Sequence, residues 1–117
     1  MQSLIFANQM KTAKANEILD VAIAEMAKSG VKSKKLIPHL QAAREIALKE
    51  EDPLVARALR LAWQHLESSG EFGLAFLEEA ETQEENLDFF LSLCLRSENE
   101  RNRDELREMT NMLQEMA

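Results

Sequence analysis

DPLVARALRLAWQHLESSG, residues 52 to 70, decides the fold class of this chain. Asp52 is a residue type whose side-chain oxygen accepts from the free amides of a first helical turn. Pro53 then suits the first helical position, where its missing N–H costs nothing. Gly70 fits the left-handed residue that closes a helix. Between these signals Val55, Ala58, Leu59, Ala62 and Leu66 fall on one face at about 100° per residue, and Arg57, Arg60, Gln64 and Glu67 fall on the opposite one. Trp63 lies at one margin of the apolar face, and Leu61 with His65 at the other. Margins are where amphipathic side chains keep an apolar body inside and a polar tip in water. The segment predicts an amphipathic helix with a core-facing stripe.

The same signals recur on either side. Ala15, Ile18, Leu19, Ala22 and Met26 form a stripe in a helix from about Ser3 to Lys28, with a stop at Gly30. GVKSKK, residues 30 to 35, links it to a second helix that has Pro38 in its first turn and runs to about Glu51. Thr82 with Glu85 and Ser97 with Glu100 have the spacing of capping boxes, so helices are expected to begin near both. FGLAFLEEA, residues 72 to 80, reads as a short helix between Gly70 and Thr82. A last helix runs to the C-terminus. Gly occurs three times, Pro twice and Tyr never, and no stretch shows the apolar/polar alternation of a half-buried strand. The expectation is an all-α protein with a single helical domain over 1–117: a compact bundle of about five to six helices, or stacked antiparallel helical hairpins. No repeat of ~34 to 45 residues is found, which leaves a solenoid array only in degenerate form.

Composition bounds the function. The chain is 45% hydrophobic and 30% charged, which places it with globular proteins rather than disordered ones. A net charge of −7 argues against a nucleic-acid binder, because neutralising phosphates needs clustered Lys and Arg. That charge is unevenly spread. Through Lys49 there are eight Lys and Arg against four acids, and beyond it six Arg and no Lys against seventeen acids. Either the basic and acidic helices pack side by side in one molecule, or the asymmetry guides association between chains, which salt would weaken. Cys94 is the single cysteine, so no disulfide can form within the chain. The N-terminal apolar run is only LIFA, too short for a signal peptide or a span, and a cytoplasmic location without membrane attachment is the expectation.

Arg60 and His65 form an R-x4-H motif. The spacing resembles that of the HEPN superfamily, small helical domains that often dimerise and some of which cleave RNA with an arginine and a histidine from a late helix. The resemblance covers these two residues and the all-helical character, and it implies a ribonuclease using Arg60 and His65. Helical geometry gives a different reading of the same pair. The two side chains diverge by about 140° on a regular helix, which makes the stretch packing with a polar rim. A third alternative is a regulatory bundle that binds a small ligand around Trp63.

Metal and cofactor chemistry have little support. A di-iron bundle site needs E-x-x-H pairs, yet Leu36 and Ala62 stand three residues before His39 and His65. One cysteine and two histidines 26 positions apart do not make a zinc site. His39 reads as a first-turn surface or capping residue. The acidic run EEAETQEENLD would align Glu78, Glu81 and Glu85 opposite Phe76, Ala80 and Leu87 on a continuous helix, a solvated face without the turn glycine of a calcium loop. Cys94, on the face of Leu87 and Leu91, reads as core rather than as a nucleophile. No cofactor is expected.

Two features point to association. From Gln83 to Arg96, Leu87, Leu91, Cys94 and Leu95 take one side of a helix, while Phe89 and Leu93 take nearly the other, so the helix is either central or contacts a second chain. In the last helix Leu106, Met109, Leu113 and Met116 recur at steps of three, four and three. That seam packs on the parent bundle or, exposed, joins a partner. The candidate association surface is therefore Phe89, Leu93, Leu106, Met109, Leu113 and Met116. The expected function is non-enzymatic: a protein-interaction or regulatory bundle, most simply a homodimer.

Overall fold

In the computed structural model, residues 2–72 and 81–116 are described, with side chains from 16 to 72 and from 81 to 115. Five helices account for most of them: α1 (Gln2–Ser29), α2 (Leu36–Lys49), α3 (Pro53–Ser69), α4 (Gln83–Leu95) and α5 (Glu100–Met116). The described residues contain no strand, and the chain is an all-α bundle. Of the short helix expected over FGLAFLEEA only Phe72 lies among the described residues, and the side chains of the LIFA run lie outside them.

Helix ends follow local chemistry. The Asp52 carboxylate accepts from the Val55 amide at 3.3 Å with Pro53 in the first turn, and Gly70 closes α3 at φ 71°. Thr82 Oγ1 accepts from the Glu85 amide at 3.2 Å, as the capping-box spacing predicts. The returning bond goes one residue earlier than expected, from the Glu81 amide to Glu85 Oε2. The start of α5 differs from expectation. Asn99, not Ser97, is the cap, and its Oδ1 accepts from the Arg101 and Asn102 amides at 3.0 and 3.2 Å. Asn is as good a cap as Ser, and it stands directly before the first helical residue. Gly30 ends α1 with φ 80°, and its amide donates to Met26 O.

The α2–α3 turn uses no glycine. The Glu51 amide donates to Leu48 O and the Asp52 amide to Ala47 O, the pair of bonds that closes a Schellman turn. Glu51 itself takes the left-handed conformation, at φ 59°.

Packing makes a ring. α1 lies against α2 and α4, α2 against α3, α3 against α5, and α5 against α4. Ala22, Ala43, Ala47, Ala58 and Ala62 are almost fully buried, and their small side chains let α1, α2 and α3 approach closely. Leu19, Leu40, Leu59, Leu87, Leu91 and Leu106 fill the middle of the ring. On α3 the buried arc is wider than one stripe: Ala56 and Leu61 join Val55, Leu59 and Leu66, because α2 covers one flank and α5 the other. On the opposite arc Gln64 and Glu67 are exposed, and Arg57 and Arg60 are half-buried.

α1 has 28 residues, whereas α2 and α4, which pack on it, have 14 and 13. Asn16 shares a cleft with Ala47 and Glu50 at the end of α2 and with Cys94 and Ser97 at the end of α4. Both partner helices therefore end level with the midpoint of α1.

Candidate functional site

The Arg60 and His65 side chains lead in different directions. His65 sets the edge of its ring against Phe72, with centroids 5.8 Å apart at 83°, and Phe72 in turn tilts against Phe90 at 6.0 Å. This is an aromatic ladder from α3 to α4. The His65 carbonyl accepts from the hydroxyls of Ser68 and Ser69. Arg60 is half-buried on the arc it shares with Arg57, and among the described residues no hydrogen bond joins it to His65. Regular helix geometry keeps the pair apart, as the 3.6-residue period requires.

The seam on α5 is turned inward. Leu106 and Leu113 are 0% and 2% exposed and Met109 8%, all within the single chain against α3 and α4. Leu93, 5% exposed, is covered in the same way, because α4 has α1 on one side and α5 on the other. Phe89 is half-buried and packs on the rim of the core. The Met116 side chain lies outside the described ones. The surface expected at these positions is thus spent largely on the chain's own core. The a/d spacing marks a helix that packs, and it does not say on which chain.

Polar ties hold this arrangement. Arg57 on α3 donates to Gln114 and Asn111 on α5 at 2.9 to 3.2 Å. Gln83 Oε1 accepts from the Phe72 amide at 2.8 Å, and Glu84 Oε2 accepts from the Val31 amide at 3.1 Å. The first turn of α4 thereby fastens two loops. A β-carbon at Gly30 would stand in ordinary contact 3.4 Å from Glu84 Oε2, so it is the left-handed φ and not the space that calls for glycine here.

Reactive groups are quiet. Cys94 is fully buried, and burial pushes its thiol up, with the Asp52 charge adding to the shift. A thiol held neutral is a poor nucleophile. Glu25 is held below the usual carboxylate range by the hydroxyl of Ser33, which donates to it at 2.8 Å, with help from Lys35. Among the described residues no cluster of three or more His, Cys, Asp or Glu could hold a metal, and no helix is long and apolar enough to cross a membrane.

Two further concave surfaces lie among the described residues. One, of about 380 Å³, lies where Lys32, Ser33 and Lys34 of the α1–α2 loop face Glu67 and Glu71 over Val31, Ile37 and Leu66. The other, of about 250 Å³, lies between α2 and α3 and is lined by Gln41, Ala42, Arg44, Glu45 and Trp63. Here the indole Nε1–H of Trp63 and the Nε–H of Arg44 are closed off from water with no acceptor. The Nε–H of Arg60, one turn before Trp63, is in the same condition. Trp63 carried a sequence signal, as a margin residue. Arg44 carried none, because its approach to Trp63 depends on the register of the α2–α3 hairpin. No protein-family model, curated protein or solved structure matches the chain.

Proposed function

We propose that the protein is a non-enzymatic association module whose first partner is a second copy of itself, brought together by charge. One observation carries this reading. The chain is basic through Lys49 and acidic beyond it, yet none of the ion pairs among the described residues joins the two halves. Arg44–Glu45 lies within the first half, and Arg103–Asp52 and Arg107–Asp104 lie within the second. Lys32, Lys34 and Lys35 stand exposed on one loop. Glu98, Glu100, Asp104, Glu105 and Glu108 stand exposed at the other end of the sequence. Two copies in opposite orientation can set each lysine loop against the other's acidic surface, an isologous contact.

The Lys32→Glu/Lys34→Glu/Lys35→Glu variant tests it, since all three positions are exposed and the change leaves the core alone. At low salt the parent is expected to run as a dimer by light scattering at micromolar concentration, and the variant as a monomer. A variant that keeps the parent's dimer mass removes the role of charge.

A further inference from the structure

Beyond association, we propose that the pocket between α2 and α3 binds a small aryl carboxylate, whose charged end meets Arg44 and whose ring lies against Trp63. The first ground is the donors without acceptors. Buried N–H groups are nearly always paired, and one left unpaired costs free energy that an arriving acceptor recovers. Trp63 Nε1 and Arg44 Nε are two such donors on residues that line one pocket, and Arg60 Nε is a third one turn away.

The second ground is charge and shape. Arg44 is the one cation of the lining and Glu45 the one anion, so a ligand anion that displaces the exposed Glu45 carboxylate from Arg44 leaves the charge of the site balanced. The indole of Trp63 and the methyl of Ala42 supply an apolar wall, and Gln41 supplies an amide. The volume of about 250 Å³ is smaller than that of drug-sized ligand sites and leaves room for no more than one substituted ring.

The third ground is a movable wall. The Arg44 side chain is 30% exposed and is held by Glu45 through a single long contact of 3.8 Å, with Glu45 itself 66% exposed. A ligand carboxylate takes the place of Glu45 and engages the guanidinium with the two-pronged geometry that Arg favours. The indole N–H of Trp63, on the same lining and without an acceptor, is the donor left for the second oxygen. Glu45 is thus a resident competitor.

Trp63 is the only tryptophan, so its emission reports this site alone. Titration of the full chain with sodium benzoate, at constant ionic strength, is expected to give a saturating change in emission. Benzamide, of the same shape without the charge, gives none, and inorganic phosphate gives none. Arg44→Gln weakens the benzoate response by about ten-fold or more, about the loss of one charge-assisted contact. Ala42→Leu, at an exposed position that the fold tolerates, blocks it by filling the pocket. Glu45→Gln strengthens it by removing the competitor. The proposal is overturned if benzoate gives no saturation, if benzamide matches it, or if Ala42→Leu and Arg44→Gln titrate like the parent while melting at the parent temperature.

Discussion

Arg103 grips both carboxylate oxygens of Asp52, Nη1 on Oδ2 and Nη2 on Oδ1, each at 3.1 Å. The same carboxylate caps α3, and Arg103 also donates to the Ser97 carbonyl. Three parts of the chain therefore meet at one group: the α2–α3 turn, the α4–α5 turn and α5. Asp52 holds the guanidinium above its already high pKa, so Arg103 stays charged over the whole working range of pH. Asp52→Ala loses cap and pair together and should cost about 1 to 3 kcal/mol. Arg103→Ala keeps the cap and loses the partly exposed pair with the bond to the Ser97 carbonyl, and should cost about 1 kcal/mol. Urea unfolding of the two single variants and the double variant measures the coupling, expected at about 0.5 to 1 kcal/mol.

Leu113 and Met112 are neighbours on α5 with opposite fates, 2% and 44% exposed. Leu113→Ala opens a cavity in the chain's own core and should cost about 2 to 5 kcal/mol. Met112→Ala should change stability by no more than about 0.5 kcal/mol. A Leu113→Ala variant with parental stability in its monomeric form would mean that α5 does not pack on its own chain.

Glu51 holds a left-handed backbone at φ 59°, in the position after the α2 cap where glycine is usual. The conformation costs a residue with a β-carbon about 1 kcal/mol or more, partly balanced by the greater freedom of glycine in the unfolded chain. Glu51→Gly should therefore raise stability by up to about 1 kcal/mol, read as a higher urea midpoint at unchanged slope. A loss of stability would show that the Glu51 side chain contributes more than the turn strain removes.

Burial keeps the Cys94 thiol protonated in the folded chain, whereas in the unfolded chain it ionises near pH ~8.5. A thiol pKa raised by folding means that the folded state holds the proton longer. Its stabilisation is intact below pH ~8.5 and is lost as pH rises above it, by up to about 1.4 kcal/mol per unit. The chain has no tyrosine to add a second slope there. Urea unfolding from pH ~7.5 to ~9.5 should show this decline in the parent and a flatter profile in Cys94→Ala, whatever the cavity costs at neutral pH.

Much of this fold was legible because its signals are local. Asp52, Pro53 and Gly70 bound α3 in sequence and in structure alike, and Thr82 opens α4 as its spacing to Glu85 required. The Ser97 reading gave way to Asn99 because two good cap residues stand two positions apart, and only the path of the turn chooses between them. The fate of Leu93, Leu106, Met109 and Leu113 was not legible for a related reason. Periodicity states that a face is buried, and the ring order of the helices, a long-range property, states by what. Arg103 with Asp52 and Arg44 with Trp63 are long-range for the same cause. No spacing along the chain announces either pair.

The central claim, association guided by the opposite charge of the two halves, is tested most directly by the molar mass of the parent chain in light scattering at low and at high salt. Twice the chain mass of 13.3 kDa is expected at micromolar concentration in about 50 mM salt, falling toward one chain mass at about 500 mM as the charges are screened. A mass of one chain at low salt, or a dimer indifferent to salt, contradicts the account.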